Sequence, residues 1–170
     1  RTTAEHIARV WLGEKEAVVS PDDIYEHLAQ CGCFLDPKQE QAVLTALTSP
    51  ITIISGGPGT GKTHTVKVIV DAISNLCPSA TVKLCAPTGR AAVRIGEVTG
   101  KESATIHSML ELKSYSKDYA NPKALTCDYL IVDEFSMVNM QICQYLFMAA
   151  ASQTRIISLG DHNQLPSVGP

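Results

Sequence analysis

The sequence predicts an α/β fold, a parallel sheet covered by helices on both faces. Three observations carry that expectation. A glycine-rich loop, Gly56-Gly57-Pro58-Gly59-Thr60-Gly61-Lys62-Thr63, sits between a β-branched run and a helical pattern. Strand-like runs at 81–86, 129–133 and 155–159 alternate with helical patterns over 89–98 and 138–151. The run Tyr129-Leu130-Ile131-Val132 is apolar at every position, as a strand buried on both faces must be. Alternating strands and helices place consecutive strands parallel, with the helices crossing over the sheet faces.

Each element has its own justification. Thr3 to Leu12 carries apolar residues at helical spacing. Ser20-Pro21-Asp22-Asp23 opens a second helix, with Ser20 as cap and Pro21 in the first turn, and Gly32 ends it. Asp36-Pro37 opens a third, whose apolar face is Ala42, Val43, Leu44 and Leu47. Ile51-Thr52-Ile53-Ile54 reads as a buried strand and residues 65–73 as the helix after the loop. Gly100 closes the helix over 89–98. Residues 113–126 are polar, contain Asn121-Pro122, and read as a surface insertion.

The chain has 170 residues and a formal charge of −3, enough for one domain with a real core. That charge disfavours a broadly basic nucleic-acid surface and leaves room for a local positive strip. No apolar run approaches a membrane span and no secretory segment opens the sequence, so the expected location is cytoplasmic, without membrane contact. Six cysteines are present. Cys31-Gly32-Cys33 is too tight for common zinc spacings, and the set reads as reduced, buried thiols.

The glycine loop matches the phosphate-binding pattern G-x-x-x-x-G-K-[ST] in its required setting, strand before and helix after. Glycines let backbone N–H groups converge on phosphate oxygens, and the following helix adds a favourable dipole. In that pattern Gly57, Pro58, Gly59, Thr60, Gly61 and His64 surround the phosphates. Lys62 meets the β- and γ-phosphates, and the Thr63 hydroxyl holds Mg²⁺. Asp133-Glu134 ends the apolar strand with two carboxylates, one suited to order Mg²⁺ and the other to polarise an attacking water. The ligand expected is a nucleoside triphosphate. Ligands of such sheets bind beyond the carboxyl ends of the strands, where Thr60, Thr88, Asp133 and Asp161 all fall.

Five motifs together resemble the first motor domain of superfamily 1 DNA helicases of the RecD-like branch, which includes the exodeoxyribonuclease V alpha subunit and TraA-type relaxase-helicases. They are Gly56 to Thr63, Ala86-Pro87-Thr88-Gly89-Arg90-Ala91-Ala92, Thr105-Ile106-His107-Ser108-Met109-Leu110, Val132-Asp133-Glu134-Phe135-Ser136-Met137-Val138 and Gly160-Asp161-His162-Asn163-Gln164-Leu165-Pro166. The resemblance covers Leu35 to the end. It implies a RecA-like motor domain over 35–170, with residues 1–34 as the helical tail of a preceding domain. It assigns catalysis to Lys62, Glu134 and Gln164, with Gln164 sensing the γ-phosphate and Asp161 supporting the metal–water network. It places Thr88, Arg90, Thr105 and His107 on single-stranded DNA.

A glutamine upstream of the loop reads the nucleobase in that family. Gln39 or Gln41 fills the position, and Gln39-x-x-Ala42-Val43 fits it better. The implied partners are single-stranded DNA, a second RecA-like domain carrying an arginine finger, and other subunits of an exonuclease complex. The implied activity is hydrolysis of Mg²⁺–ATP that drives 5′-to-3′ translocation and unwinding in DNA repair and recombination. An RNA helicase of the same superfamily, or a nucleotide-dependent regulatory subunit, are the alternatives. Intact Lys62, Asp133, Glu134 and Gln164 argue against a degenerate site. Phe135 departs from the small residue common there, and is expected to pack under the sheet or alter contact with the second domain. His64 replaces a frequent threonine.

Overall fold

The computed structural model describes residues 2–13, 19–57, 59–112 and 121–161. Strands β1 (Ile51–Ser55), β5 (Arg155–Gly160), β4 (Tyr129–Val132), β2 (Val82–Ala86) and β3 (Ser103–Thr105) lie side by side in that order, all parallel. Helices α1 (Thr3–Leu12), α2 (Pro21–Cys31), α3 (Pro37–Thr48), α4 (Lys62–Leu76), α5 (Gly89–Thr99), α6 (Ile106–Met109) and α7 (Met140–Ala149) connect and cover them.

Strand alternation sorts the side chains into two cores. Tyr129, Ile131, Ile157, Leu159 and Leu84 face one side, where they meet Val66, Ile69 and Ile73 of α4, Ile95 of α5, Leu47 of α3 and Ile24 of α2. Leu130, Val132, Ile156 and Cys85 face the other, against Leu146 and Phe147 of α7, Ile106 of α6 and Val10 of α1. Two-sided burial explains why β4 is apolar throughout. Each fully buried Leu or Ile contributes about 1.5–3 kcal/mol by leaving water, so these few strands carry much of the folding free energy.

The helix starts follow local chemistry. Ser20 accepts from Asp23 N–H and Pro21 opens α2, as the sequence predicts. Asp36 and Gln39 form a capping box at α3. Gly32 and Gly100 end α2 and α5 in the left-handed conformation, with φ of 63° and 66°. Helices α1 and α2, expected as the tail of a preceding domain, lie on the two faces of this sheet. Arg9 of α1 donates to the carbonyls of Phe147 (2.7 Å) and Ala150 (2.6 Å) at the end of α7.

Residues 103–109 form β3 and α6, too short and too polar at the start to show a period in the sequence. One expectation changes. Of the insertion at 113–126, residues 113–120 lie outside the described set. Leu125 is buried, not superficial: its N–H donates to Ala149 O at 2.8 Å, and it bridges Ala150 in parallel. One apolar side chain among polar neighbours is enough to draw that strand-like end under α7. No helix among the described residues is long and apolar enough to cross a membrane.

Candidate nucleotide site at the carboxyl edge of the sheet

The glycine loop leaves β1 at Ser55 and enters α4 at Lys62. Gly59 and Gly61 have φ of 78° and 76°, which other residues adopt only with strain. A Cβ on Gly61 would also lie 2.3 Å from Gln39 Nε2, so a side chain there would displace the Gln39 amide from the loop. Gly56 N–H donates to Gly160 O at 3.3 Å, fixing the root of the loop to the end of β5. Lys62 Nζ donates to the carbonyls of Gly56 and, at 2.9 Å, Gly57, which lays the ammonium across the loop. Helix α4 begins without a side-chain cap. Its first-turn N–H groups therefore lack the usual internal partner and suit an anion.

Around this loop lies a cleft of about 480 Å³. Gly57, Gly59, Thr60 and Gly61 form its floor, with Lys62, Thr63 and His64 from α4. Asp133, Glu134 and Asp161 enter from the ends of β4 and β5. The sequence-predicted loop residues and both carboxylates thus share one cavity. Pro58 and Gln164 lie outside the described residues. A larger groove, about 770 Å³ between α2 and the end of α4, contains none of the motif residues.

Asp133 and Glu134 diverge because the strand stops at Val132. Asp133 N–H still donates to Cys85 O at 2.9 Å, while Glu134 turns into the left-handed region at φ 49°, ψ 37°. A non-glycine residue held there is uncommon, and such strain gathers at functional positions. It swings the chain into a 3₁₀ turn, Phe135–Met137, and lets two adjacent carboxylates line one cleft. Asp133 Oδ1 accepts from Glu134 N–H at 2.8 Å. Phe135 is half-buried against the core cluster that holds Leu130 and Val132 of β4, the first of the two roles expected of it. Ser136 was not anticipated: its hydroxyl receives Asp161 N–H at 3.4 Å and ties the β4 and β5 ends together.

Thr63 and Asp133 offer a hydroxyl and a carboxylate, hard oxygen donors in the same cleft. Among the described residues no cluster of three His, Cys, Asp or Glu side chains could hold a metal unaided. That donor set fits Mg²⁺, which keeps waters and phosphate oxygens and takes only one or two protein ligands. Bound there, such an ion would neutralise phosphate charge.

Gln39 serves the loop directly. Its Nε2 donates to Thr60 O at 3.2 Å and its Oε1 accepts from Asp36 N–H at 3.0 Å. Gln41 instead bonds the Thr45 hydroxyl within α3.

The four residues expected on DNA lie at the neighbouring strand ends. Thr88 caps α5 by accepting from Ala91 N–H at 3.2 Å, and Thr105 caps α6 by accepting from Ser108 N–H at 3.1 Å. Arg90 and His107 each follow their cap by two residues and are exposed. Since Ala86 pairs with Thr105, both pairs emerge from adjacent strands on the edge that carries the cleft.

The sequence reading missed one wall of the cleft. Arg94, Ile95 and Val98 of α5 line it. Their helical spacing was visible in the sequence, but only the first turn of that helix belonged to a motif.

The AAA domain family matches residues 39–170. The ATP-dependent RecD2 DNA helicase of Deinococcus radiodurans is 37% identical over 132 residues, covering 77% of this chain and 18% of that protein. The RecBCD enzyme subunit RecD of Haemophilus influenzae is 34% identical over 179 residues, covering 88% of this chain and 28% of that protein. The chain therefore spans under a third of the length of these relatives. The crystal structure of Bacteroides Pif1 bound to single-stranded DNA shares the fold, with a TM-score of 0.60 at 21% identity over 81% of this chain and 34% of that one. Phosphate loop, paired carboxylates and five-stranded parallel sheet agree with these similarities, and the chain belongs to the AAA domain family, with RecD-like helicases among its relatives.

Proposed function

We propose that this chain is the first RecA-like motor domain of an ATP-dependent DNA helicase, binding and hydrolysing Mg²⁺–ATP to drive movement along single-stranded DNA. The observation that carries the reading is the single cleft that gathers the glycine loop, Lys62, Thr63, Asp133 and Glu134. Thr63 and Asp133 hold the metal, Lys62 meets the phosphates, and Glu134 polarises water. Gln164 is assigned the γ-phosphate, and Gln39 the nucleobase in exchange for one of its present bonds. Names of the relatives support the DNA substrate: RecD2 is called a DNA helicase, and Bacteroides Pif1 has been solved with ADP-AlF3 and single-stranded DNA.

The finer parts of the reading follow the same resemblance. Thr88, Arg90, Thr105 and His107 form a single-strand path beside the cleft, and movement runs 5′ to 3′ in repair or recombination. Residues 1–34 are the tail of a preceding domain and 35–170 the motor domain. A second RecA-like domain supplies the arginine finger, and exonuclease-complex subunits join it. The place of action is cytoplasmic. An arginine finger supplied from outside is worth roughly 10³–10⁵-fold in related hydrolases, so this chain alone turns over ATP very slowly.

The test is ATP turnover, with single-stranded DNA or RNA added, by a protein joining this domain to a second motor domain. DNA stimulation that Glu134→Gln abolishes, with ATP binding retained, is expected. Stimulation by RNA alone, or turnover undiminished in Glu134→Gln, would overturn the reading.

A further inference from the structure

We infer that Arg94 contacts nucleotide phosphate, a guanidinium supplied by this domain itself that meets the γ-phosphate end of a bound nucleoside triphosphate. The inference rests on the nucleotide-binding reading above and assigns a residue that the motifs leave out.

Its first support is position. Lys62 and Arg94 are the only lysine or arginine side chains lining the cleft among the described residues, and they come from different walls, α4 and α5. Ile95, next in the chain, is 4% exposed and locked in the core shared with α4. The backbone under Arg94 is thereby fixed, while its own side chain remains exposed at the cleft.

The second support is what Arg94 does not do. Asp133 and Glu134 line the same cavity, yet Arg94 makes no hydrogen bond or ion pair among the described residues. Elsewhere in this chain an arginine with a structural task is engaged, as Arg9 is on two carbonyls. An unengaged guanidinium, three carboxylates and an ammonium in one cleft match a ligand that carries both phosphate anions and a divalent cation. The planar fork of arginine suits two phosphate oxygens at once.

The end of the nucleotide follows from the lining. The cavity includes Asp133, Glu134 and Asp161, the metal and water side, and does not include Gln39, the residue on the nucleobase side. Arg94 therefore belongs with the terminal phosphate rather than with the base. ADP, which lacks that phosphate, barely uses it.

Calorimetric titration of the Mg²⁺ complexes of ADP and of a β,γ-imido ATP analogue tests this. Wild type, Arg94→Ala, the length-preserving Arg94→Gln, and Lys62→Ala are compared. Both Arg94 variants should bind the triphosphate analogue roughly tenfold more weakly, the scale of one charge-assisted contact, and ADP within about twofold of wild type. Lys62→Ala should weaken both nucleotides. Unchanged affinity for the analogue in both Arg94 variants overturns the inference, and so does an equal loss for ADP and the analogue. Wild type binding neither nucleotide would instead defeat the nucleotide-binding reading, which keeps the two failures apart.

Discussion

The two edges of the sheet hold similar polar residues and use them differently. At the amino edge they close on one another across strands. Asp128 accepts from Thr81 N–H at 2.7 Å and from the Thr81 hydroxyl at 2.8 Å. Thr154 donates to Cys127 O at 2.6 Å, and the Arg155 guanidinium lies 5.6 Å from the centre of the Tyr129 ring. At the carboxyl edge Lys62 bonds its own loop, Asp133 takes the N–H of the next residue, and Arg94 takes none. Bonds that span the sequence hold the fold together. Polar groups satisfied only within their own loop can be recruited by a ligand at little structural cost. For Lys62, Asp133 and Arg94 bonding range, more than residue type, marks the site, while Gln39 on Thr60 O and Ser136 on Asp161 N–H span the sequence and frame the same edge.

The largest expected effect breaks the comparison at the carboxyl edge. Lys62→Ala should weaken Mg²⁺–ATP binding by roughly 100-fold, about 2.7 kcal/mol, because a charged contact to phosphate is lost. Its unfolding midpoint should stay that of wild type; a large drop would mean Lys62 is scaffold.

Asp128→Ala should do the reverse, losing about 1–2 kcal/mol and several degrees of Tm, with nucleotide affinity unchanged within about twofold. The N–H and hydroxyl of Thr81 hold the Asp128 carboxyl below its ordinary value of 3.8. A depressed folded value means that the stabilisation is complete above the unfolded carboxyl's range and disappears as pH falls through the folded value. Urea unfolding of wild type and variant should thus differ steadily from pH 7 to about 5 and converge below about pH 4. A gap constant down to pH 2 would show that the ionised carboxylate is not its source. Asp128 is half-exposed, so solvent screening keeps the effect modest.

A smaller test concerns α1. Arg9→Ala removes the cation that meets the last carbonyls of α7, worth about 1 kcal/mol. Limited proteolysis should cut within residues 2–13 faster while ATP affinity holds. Protection equal to wild type would show that apolar contact through Val10 suffices to dock the helix.

The smallest effect probes the layer between the edges. Burial pushes the Cys85 thiol up to about 12 and the Cys127 thiol up to about 11. At pH 8 a thiol reagent should reach exposed Cys31 first and spare Cys85 and Cys127 until unfolding. Early labelling of Cys85 would mean that the sheet opens locally at β2.

Long or strongly patterned segments were legible before any coordinates. The glycine loop, α4 and β4 are each specified by several consecutive residues, so pattern and structure agree within about three residues, α4 extending to Lys62–Leu76 beyond the 65–73 expected. Strand β3 has three residues and no apolar alternation, and only its pairing with β2 makes it a strand. Leu125 is buried by α7, a neighbour that sequence spacing does not announce. The site divides in the same way. Lys62, Thr63, Asp133 and Glu134 lie in motifs and were named, whereas Arg94 enters through the packing of α5 beside α4. The positive φ of Glu134 was invisible too, since glutamate carries no sign of that conformation.

The strand order sets a sequence of events during synthesis. Among the described residues strand β1 pairs only with β5, and residues 56–154 separate them. A ribosome delivers β1 early and β5 last of these five strands. Until β5 arrives, Ile51–Ser55 presents an unpaired apolar edge, the kind of surface that chaperones shield and that recruits strands from other chains. The bond from Gly56 N–H to Gly160 O cannot form before then either. The cleft is accordingly assembled only once β5 has joined β1, and a nucleotide can assist folding at this edge only after β5 has been made.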